Sequence, residues 1–347
     1  MKHASPTLAR GSGRYVPLAV LLLNAGVALA DPTAEEVIAA VGIPPADVPR
    51  LQQGEIVSFS VSEGGAKSLA SGIAMYVKAS PAKFVDLVKR GSLLAADPDV
   101  IARGDLAAGS GAEAFAKFAY TAAQADEARG LLEVKPGSDF NLSSQEIASF
   151  QALQSRIDTG NDKAVAEAVS ANYRALLAER LKAYQQGGLK SIAAYDRGGG
   201  EKADPSGELA ADTRENKVLA RYFPVLQQAL LRSPATLPAG VESQFLWINR
   251  EVQKRPTPIL SHHLAYSLNN GAVMVQREFY VGHSYNSSQA TFGSLPYLDG
   301  AIVLYGLRSS TDQVAGLGQA VKHSIGREQM KKEIIKHFQR IKAALRG

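Results

Sequence analysis

Ile259-Leu260-Ser261-His262-His263-Leu264-Ala265-Tyr266-Ser267-Leu268-Asn269-Asn270-Gly271-Ala272-Val273-Met274-Val275-Gln276-Arg277-Glu278-Phe279-Tyr280-Val281 is the stretch that decides the fold of this 347-residue chain. Two β-rich runs flank Asn270-Gly271, a dipeptide suited to the central positions of a two-residue hairpin turn, where φ is positive. With these two residues as the loop, Leu268 faces Val273, Tyr266 faces Val275, Leu264 faces Arg277, His262 faces Phe279 and Leu260 faces Val281. That face is apolar except for His262 and Arg277, which sit diagonally adjacent. The other face pairs Ser267 with Met274, Ala265 with Gln276, His263 with Glu278 and Ser261 with Tyr280. It is mixed and wetter, and His263 with Glu278 reads as an exposed cross-strand ion pair.

A guanidinium on an apolar sheet face costs several kcal/mol unless it is paired or reaches water. Arg277 therefore has a carboxylate partner outside the hairpin, lines a solvent- or ligand-filled cavity, or snorkels to the rim. His262 reads either as a hydrogen-bonded core histidine or, with Arg277, as the polar anchor for the head group of an amphipathic ligand. Trp247, Tyr266, Phe279 and Tyr305 complete this candidate binding set, with plain core packing as the alternative for each aromatic ring.

Toward the C-terminus, residues 244–252 and 301–307 are further strands, and Asn286-Ser287-Ser288-Gln289 reads as a polar loop. The 301–307 strand is apolar on both faces, which requires helices on both sides or a cavity on one. Residues 324–345 form a helix with Ile325, Ile334, Ile335, Phe338, Ile341 and Leu345 toward a core.

Toward the N-terminus, residues 55–61 and 72–78 alternate as strands, and Ser80-Pro81 opens a helix with Phe84, Val85, Leu87 and Val88 on its apolar face. Residues 92–129 are mixed and partly helical, 131–134 read as a short strand, and Ser143-x-x-Glu146 is a capping box. Residues 161–186 are helical, 198–207 form a Gly-rich loop, and 219–231 form a helix interrupted by Pro224. Strands at both ends, helices between them and a closing helix make the chain α+β: an antiparallel sheet with a long C-terminal helix and a helical insertion over about 138–232.

Lys2, Arg10 and Arg14 precede the apolar run 16–23 and the triplet Ala28-Leu29-Ala30 before Asp31, the pattern of a cleaved secretory signal peptide over residues 1–30. The run is shorter than the roughly 20 apolar residues of a membrane span. Residues 31–53, with Pro44-Pro45 and Pro49, read as a leader to a single domain over 54–347. The expected product is a free protein in a periplasm or outside the cell, without a stable transmembrane segment. The chain has 38 Lys and Arg against 33 Asp and Glu, and 35 against 33 without the three basic residues of the signal peptide. No basic stripe suited to nucleic acid is evident.

The chain has no cysteine, which excludes disulfides and thiolate chemistry. Beyond residue 30 the histidines are His262, His263, His283, His323 and His337. Adjacent strand residues point to opposite faces, so His262 and His263 do not chelate one ion, and no metal is expected. Gly282-His283-Ser284-Tyr285-Asn286 matches only the first half of a nucleophile elbow. No Gly-rich phosphate loop is present, so no nucleotide cofactor is expected.

Gly72-Ile73-Ala74-Met75-Tyr76-Val77-Lys78-Ala79-Ser80-Pro81-Ala82-Lys83-Phe84-Val85, followed by meandering strands and the C-terminal helix, resembles the START-like, or polyketide-cyclase (Bet v 1-like), superfamily over about 70–90 and 242–345. The resemblance implies a helix-grip fold, in which a curved antiparallel sheet holds the final helix around an apolar cavity for lipids or other hydrophobic molecules. It carries no catalytic motif. The expected function is therefore binding of a hydrophobic or amphipathic small molecule between sheet and C-terminal helix. Two other classes stand beside it: an enzyme using His262, Arg277 or His283 for acid–base work, and an envelope interaction protein with an exposed apolar patch.

Overall fold

The computed structural model describes Met1 and residues 31–89, 97–232, 234 and 237–346. The signal-peptide reading falls on residues 2–30, outside the described residues. From Asp31 onward the chain is one compact unit.

The strands, in chain order, are β1 (Ile56–Phe59), β2 (Ser68–Val77), β3 (Val100–Leu106), β4 (Tyr195–Gly198), β5 (Glu201–Ala203), β6 (Val241–Val252), β7 (Arg255–Ser267), β8 (Ala272–Val281), β9 (Ser287–Tyr297) and β10 (Gly300–Ser310). The α-helices among the described residues are α1 (Ala34–Ala40), α2 (Val48–Gln52), α3 (Pro81–Lys89), α4 (Ala125–Leu132), α5 (Ser144–Gln154), α6 (Asp162–Gly187), α7 (Pro205–Arg214), α8 (Lys217–Tyr222), α9 (Pro224–Leu231) and α10 (Gln319–Arg346). Eight strands make one antiparallel sheet in the order β1-β2-β10-β9-β8-β7-β6-β3, and β4 and β5 form a separate hairpin. The chain is thus α+β, with a large antiparallel sheet and a C-terminal helix.

Period-two alternation sends each strand's side chains to two covered faces. On one face, Ile334 and Phe338 of α10 and Phe84 of α3 pack with Ile73, Met75, Met274, Phe292, Ala301 and Val303. On the other, Val37, Ile38 and Leu51 meet Ala74, Leu295, Ile302 and Leu304, while Leu219, Phe223, Leu226 and Leu230 meet Leu264, Val273 and Val275. Further along that same face, Tyr173, Leu177, Leu181 and Tyr184 of α6 cover Trp247, Leu260, Phe279 and Tyr280. Each large apolar side chain so buried contributes about 1.5–3 kcal/mol. The two-sided apolarity of β10 is met by helices on both sides.

Helix ends follow their local chemistry. Glu36 and Thr33 close a capping box at α1, Glu146 and Ser143 do so at α5, and the Asn161 side chain accepts from two backbone N–H groups of α6. Pro224 lacks the N–H that a continuous helix would need, and the segment divides there into α8 and α9.

Several expectations are corrected. Residues 31–53 are built into the domain: Ala34, Val37, Ile38 and Leu51 are buried against the sheet. Leu131 and Leu132 end α4 rather than forming a strand, because Leu131 repeats the Ala128 side of a helix that is buried against α5 and α6. Gly198, Gly199 and Gly200 all take positive φ and turn the β4–β5 hairpin; α7 follows where a loop was expected. Ser287, Ser288 and Gln289 begin β9, and their buried polar side chains conceal a strand in the sequence.

The β7–β8 hairpin forms, with a register displaced by two residues. His262 lies opposite Arg277, Leu264 opposite Val275 and Tyr266 opposite Val273. A two-residue slip preserves the faces. The loop has four residues, closed by the Leu268 N–H donating to the Gly271 carbonyl at 2.9 Å, and Asp31 accepts from the Asn269 backbone and side chain at 2.8 and 2.9 Å. Neither Asn270 nor Gly271 has positive φ. Gly271 is needed for another reason: a Cβ there would overlap the Ser294 carbonyl oxygen of β9. Gly271→Ala is accordingly expected to cost about 1–3 kcal/mol in urea denaturation, and Asn270→Ala under about 0.5. A larger loss at Asn270 than at Gly271 would point back to the two-residue turn.

The new register also removes the expected His263–Glu278 pair. His263 faces Gln276, whereas Glu278 is buried and accepts from the Tyr285 and Ser288 hydroxyls, each at 2.8 Å. Phe279 is the extra residue of a bulge between the Ser261–Glu278 and Leu260–Tyr280 pairs.

Candidate functional site

The six candidate residues do not converge on one cavity. His262, Arg277, Trp247 and Phe279 share the face beneath α6, where they are sealed by packing and hydrogen bonds. The His262 ring stacks on Phe245 with centroids 4.2 Å apart, and its nitrogens meet the Tyr184 hydroxyl at 3.1 Å and the Ser243 hydroxyl at 2.9 Å. Burial, then the Arg277 charge, pushes its pKa well below the usual histidine value, so the imidazole is neutral. Phe279 stacks on Tyr184 at 3.9 Å, and the Trp247 indole N–H donates to the Ala114 carbonyl at 3.0 Å. Tyr266 lies on this face beside Leu264 and Val273. Tyr305 is on the opposite face, against Phe292 and Phe338.

Arg277 follows none of the three expected routes. It is 1% exposed, and its fork donates to the Gln289 side-chain oxygen at 3.1 and 2.9 Å, the Thr213 hydroxyl at 2.9 Å, the Leu230 carbonyl at 2.7 Å and the Tyr184 hydroxyl at 3.3 Å. Neutral oxygens from α6, α7, α9 and β9 satisfy it inside the protein. This arginine ties helices to sheet.

A pocket of about 270 Å³ lies elsewhere on the same face, near the lower limit for small-molecule sites. Val37 and Val41 line it on one side, Phe59 of β1 and Val61 just past that strand on another, and Val218 and Phe223 close it from the helices. Val273, Leu295 and Leu304 supply the sheet wall, with Gly293 and Gly306 opening space between them. Of the six expected residues, Tyr305 borders this pocket.

Its polar end is Arg308, only 4% exposed, which donates to the Ser62 carbonyl at 2.9 Å and the Ser62 hydroxyl at 3.3 Å. Asn216 and Thr291 stand beside it, joined by a 3.1 Å hydrogen bond. Asp212 lies within electrostatic reach of Arg308; one carboxylate oxygen accepts from Ser68 at 3.2 Å and the other has no hydrogen-bond partner. Burial raises the Asp212 pKa to about 6 against the pull of Arg308. Arg308 was legible in principle: Ile302, Leu304, Gly306 and Arg308 share one face of β10, so the charge interrupts an apolar row just as Arg277 does on β8. Asp212 sits on α7, in a stretch between the expected loop at 198–207 and the expected helix at 219–231, and carries no such signal.

A second cavity, of about 510 Å³, is bordered by Gln52, Gln53, Tyr76, Lys78, Lys83 and Lys342 and is polar. His283 holds the Thr257 hydroxyl at 2.8 Å and the Ser284 hydroxyl at 2.7 Å, with its pKa pushed down to about 4 by burial. Ser284 takes φ +73°. Among the described residues no three His, Asp or Glu side chains gather as a metal site.

Comparison with family models, with curated proteins and with solved structures finds no match for this chain.

Proposed function

We propose that this is an exported protein that holds a small amphipathic molecule, such as a lipid fragment, in the pocket between α1, α8 and the sheet. The apolar body would lie on Val37, Phe59, Val218 and Leu295, with an anionic or polar head on Arg308. The observation that carries the reading is a nearly buried guanidinium in a pocket whose walls are mainly apolar, with Asn216, Lys217 and Thr291 as its other polar lining side chains beside the serines at 60 and 62. Export rests on the charge and apolar pattern of residues 1–30. No helix among the described residues is long and apolar enough to cross a membrane.

The long helix α10 lying across β2, with the last strand beside the first long one, supports the helix-grip reading of the fold. The resemblance would put a ligand on the α10 side of the sheet, where Ile334 and Phe338 are packed against Ile73, Met75 and Val303. The pocket with the arginine is on the other side. The site is therefore proposed from its own geometry.

Native mass spectrometry and calorimetry with medium-chain carboxylates and the matching alcohols test the reading. Carboxylates are expected to bind more tightly than alcohols, with Arg308→Gln removing the preference and Val218→Trp, which fills the pocket, removing binding of both. Binding unchanged by Val218→Trp, or no binding at all, would end the proposal. The pH dependence has a definite sign. Below about pH 6 Asp212 is protonated, and Arg308 loses the larger of two nearby countercharges, the other being Glu215. Carboxylate affinity should rise as pH falls from 7.5 to 5.5, a range in which most of the carboxylate ligand stays ionised, and Asp212→Asn should flatten that rise.

A further inference from the structure

Charge along this chain is strongly segregated. Residues 319–347 carry eight Lys and Arg against two Glu, which leaves 30 against 31 for the rest of the chain. The whole of the excess positive charge is thus on α10. The helix faces the sheet through His323, Met330, Ile334 and Phe338, spaced so that at about 100° per residue they form one side. Val321, Ile325, Lys332 and Lys336 fall on the opposite side and are exposed.

The apolar part of that outward side is unusual. Among the described residues, the exposed large hydrophobic side chains include Leu317 at 98%, Val321 at 64% and Ile325 at 53%, consecutive at four-residue spacing. Leu317 stands between Gly316 and Gly318, both at positive φ, just before the helix begins at Gln319. Lys322 is exposed beside the row and donates to the Ala315 carbonyl at 3.0 Å; Lys332 and Lys336 continue its line, with Glu328 also exposed on this side and Glu333 3.8 Å from Lys336. An apolar foot followed by a cationic comb is the pattern of a helix that lies flat on an anionic surface, with aliphatic side chains entering the acyl boundary and lysines at the head groups.

We infer that the outward face of α10, with Leu317, docks the protein on an anionic lipid bilayer. A nucleic acid would leave the apolar row without a partner, and a neutral protein surface would leave the net positive charge of the helix without a countercharge. The inference goes beyond the pocket and does not depend on what the pocket holds.

Co-sedimentation of the purified protein with vesicles tests it, comparing phosphatidylcholine alone with phosphatidylcholine containing about one third phosphatidylglycerol. Partitioning at least about tenfold higher on the anionic vesicles is expected, falling toward the neutral level in about 0.5 M salt. Val321→Glu with Ile325→Glu, and separately Lys332→Glu with Lys336→Glu, should each remove it; these positions are exposed, and circular dichroism confirms that the variants fold. Equal partitioning on both vesicle types, or retention by the lysine variant, would overturn the inference. So would absence of vesicle binding, including the case in which the glutamate pair at 321 and 325 instead converts a dimer to a monomer in sedimentation velocity and marks the row as a contact between copies of the chain.

Discussion

Arg277→Ala is expected to lower stability by about 4 kcal/mol or more, placing it among the most damaging single substitutions in the chain. The mechanism is the loss of a shared donor. Gln289, Thr213, Tyr184 and the Leu230 carbonyl all direct oxygen atoms at the guanidinium, and each would be left buried without that partner. An unsatisfied buried acceptor costs about 1–3 kcal/mol, and the void left by the side chain adds to it. Arg277→Lys should recover only part, since an ammonium cannot reproduce the planar fork. Arg277→Leu combined with Gln289→Leu should be milder than Arg277→Ala alone, because it removes an acceptor together with the charge. Urea midpoints at constant slope measure all three. A loss under about 1 kcal/mol for Arg277→Ala would mean that the fork is replaceable by water and does not tie helices to sheet.

The second large effect is acid lability. His263 and His283 have pKa values pushed down to about 4, and His262 lies well below the usual value, in each case mainly through burial. An unfolded chain takes up protons on these three near pH 6.5 while the native one does not, so their contribution to stability is present above about 6.5 and is lost as pH falls toward 4. Asp212 works in the opposite direction: its pKa of about 6 lets the native state keep a proton that the unfolded state releases down to about 4. Glu208, also raised by burial, adds to that opposition. With three groups against one strong and one weaker opponent, stability should fall by about 1.5–3 kcal/mol per pH unit between about 6 and 4.5. Denaturation midpoints at pH 7, 6 and 5 check the slope, and His263→Phe should reduce it by about one proton. A midpoint that is flat or rises on acidification would contradict the assignment of these histidines as buried and neutral.

What could be read from residue order was mostly local. The capping boxes at Thr33 and Ser143 lie within four residues of sequence, and Thr33 alone escaped because prolines nearby suggested a leader. The hairpin at 259–281 was legible as a hairpin, and its faces survived a slip of two because side-chain alternation has a period of two. Its register was not legible. The loop is set by Asp31, far away in sequence, and by the approach of Ser294 on the neighbouring strand. Strand β9 escaped because Ser287, Ser288, Gln289 and Ser294 are buried polar residues, a pattern that reads as loop until their surroundings are known. The candidate site failed for a related reason. An arginine on an apolar face signals a polar demand but not who meets it, and for Arg277 four segments scattered from residue 184 to 289 meet it inside the core. Arg308 raises the same signal on β10, and there the space beside it stays open.

The strand order has a consequence for how the molecule comes into being. β2 is buried along its whole length, yet it has only the four-residue β1 on one side, and its long partner β10 comes roughly two hundred residues later. A chain growing from the ribosome cannot complete the ladder on β2 until almost everything else has been synthesised, and α10, which covers β2, arrives later still. Long-range pairing of this kind makes folding slow and leaves Ile73, Met75 and Val77 available to chaperones in the interval. The early strands wait, unfinished, for about the last seventh of the polypeptide, and a polypeptide that waits in this way can still be threaded through a narrow passage before it closes.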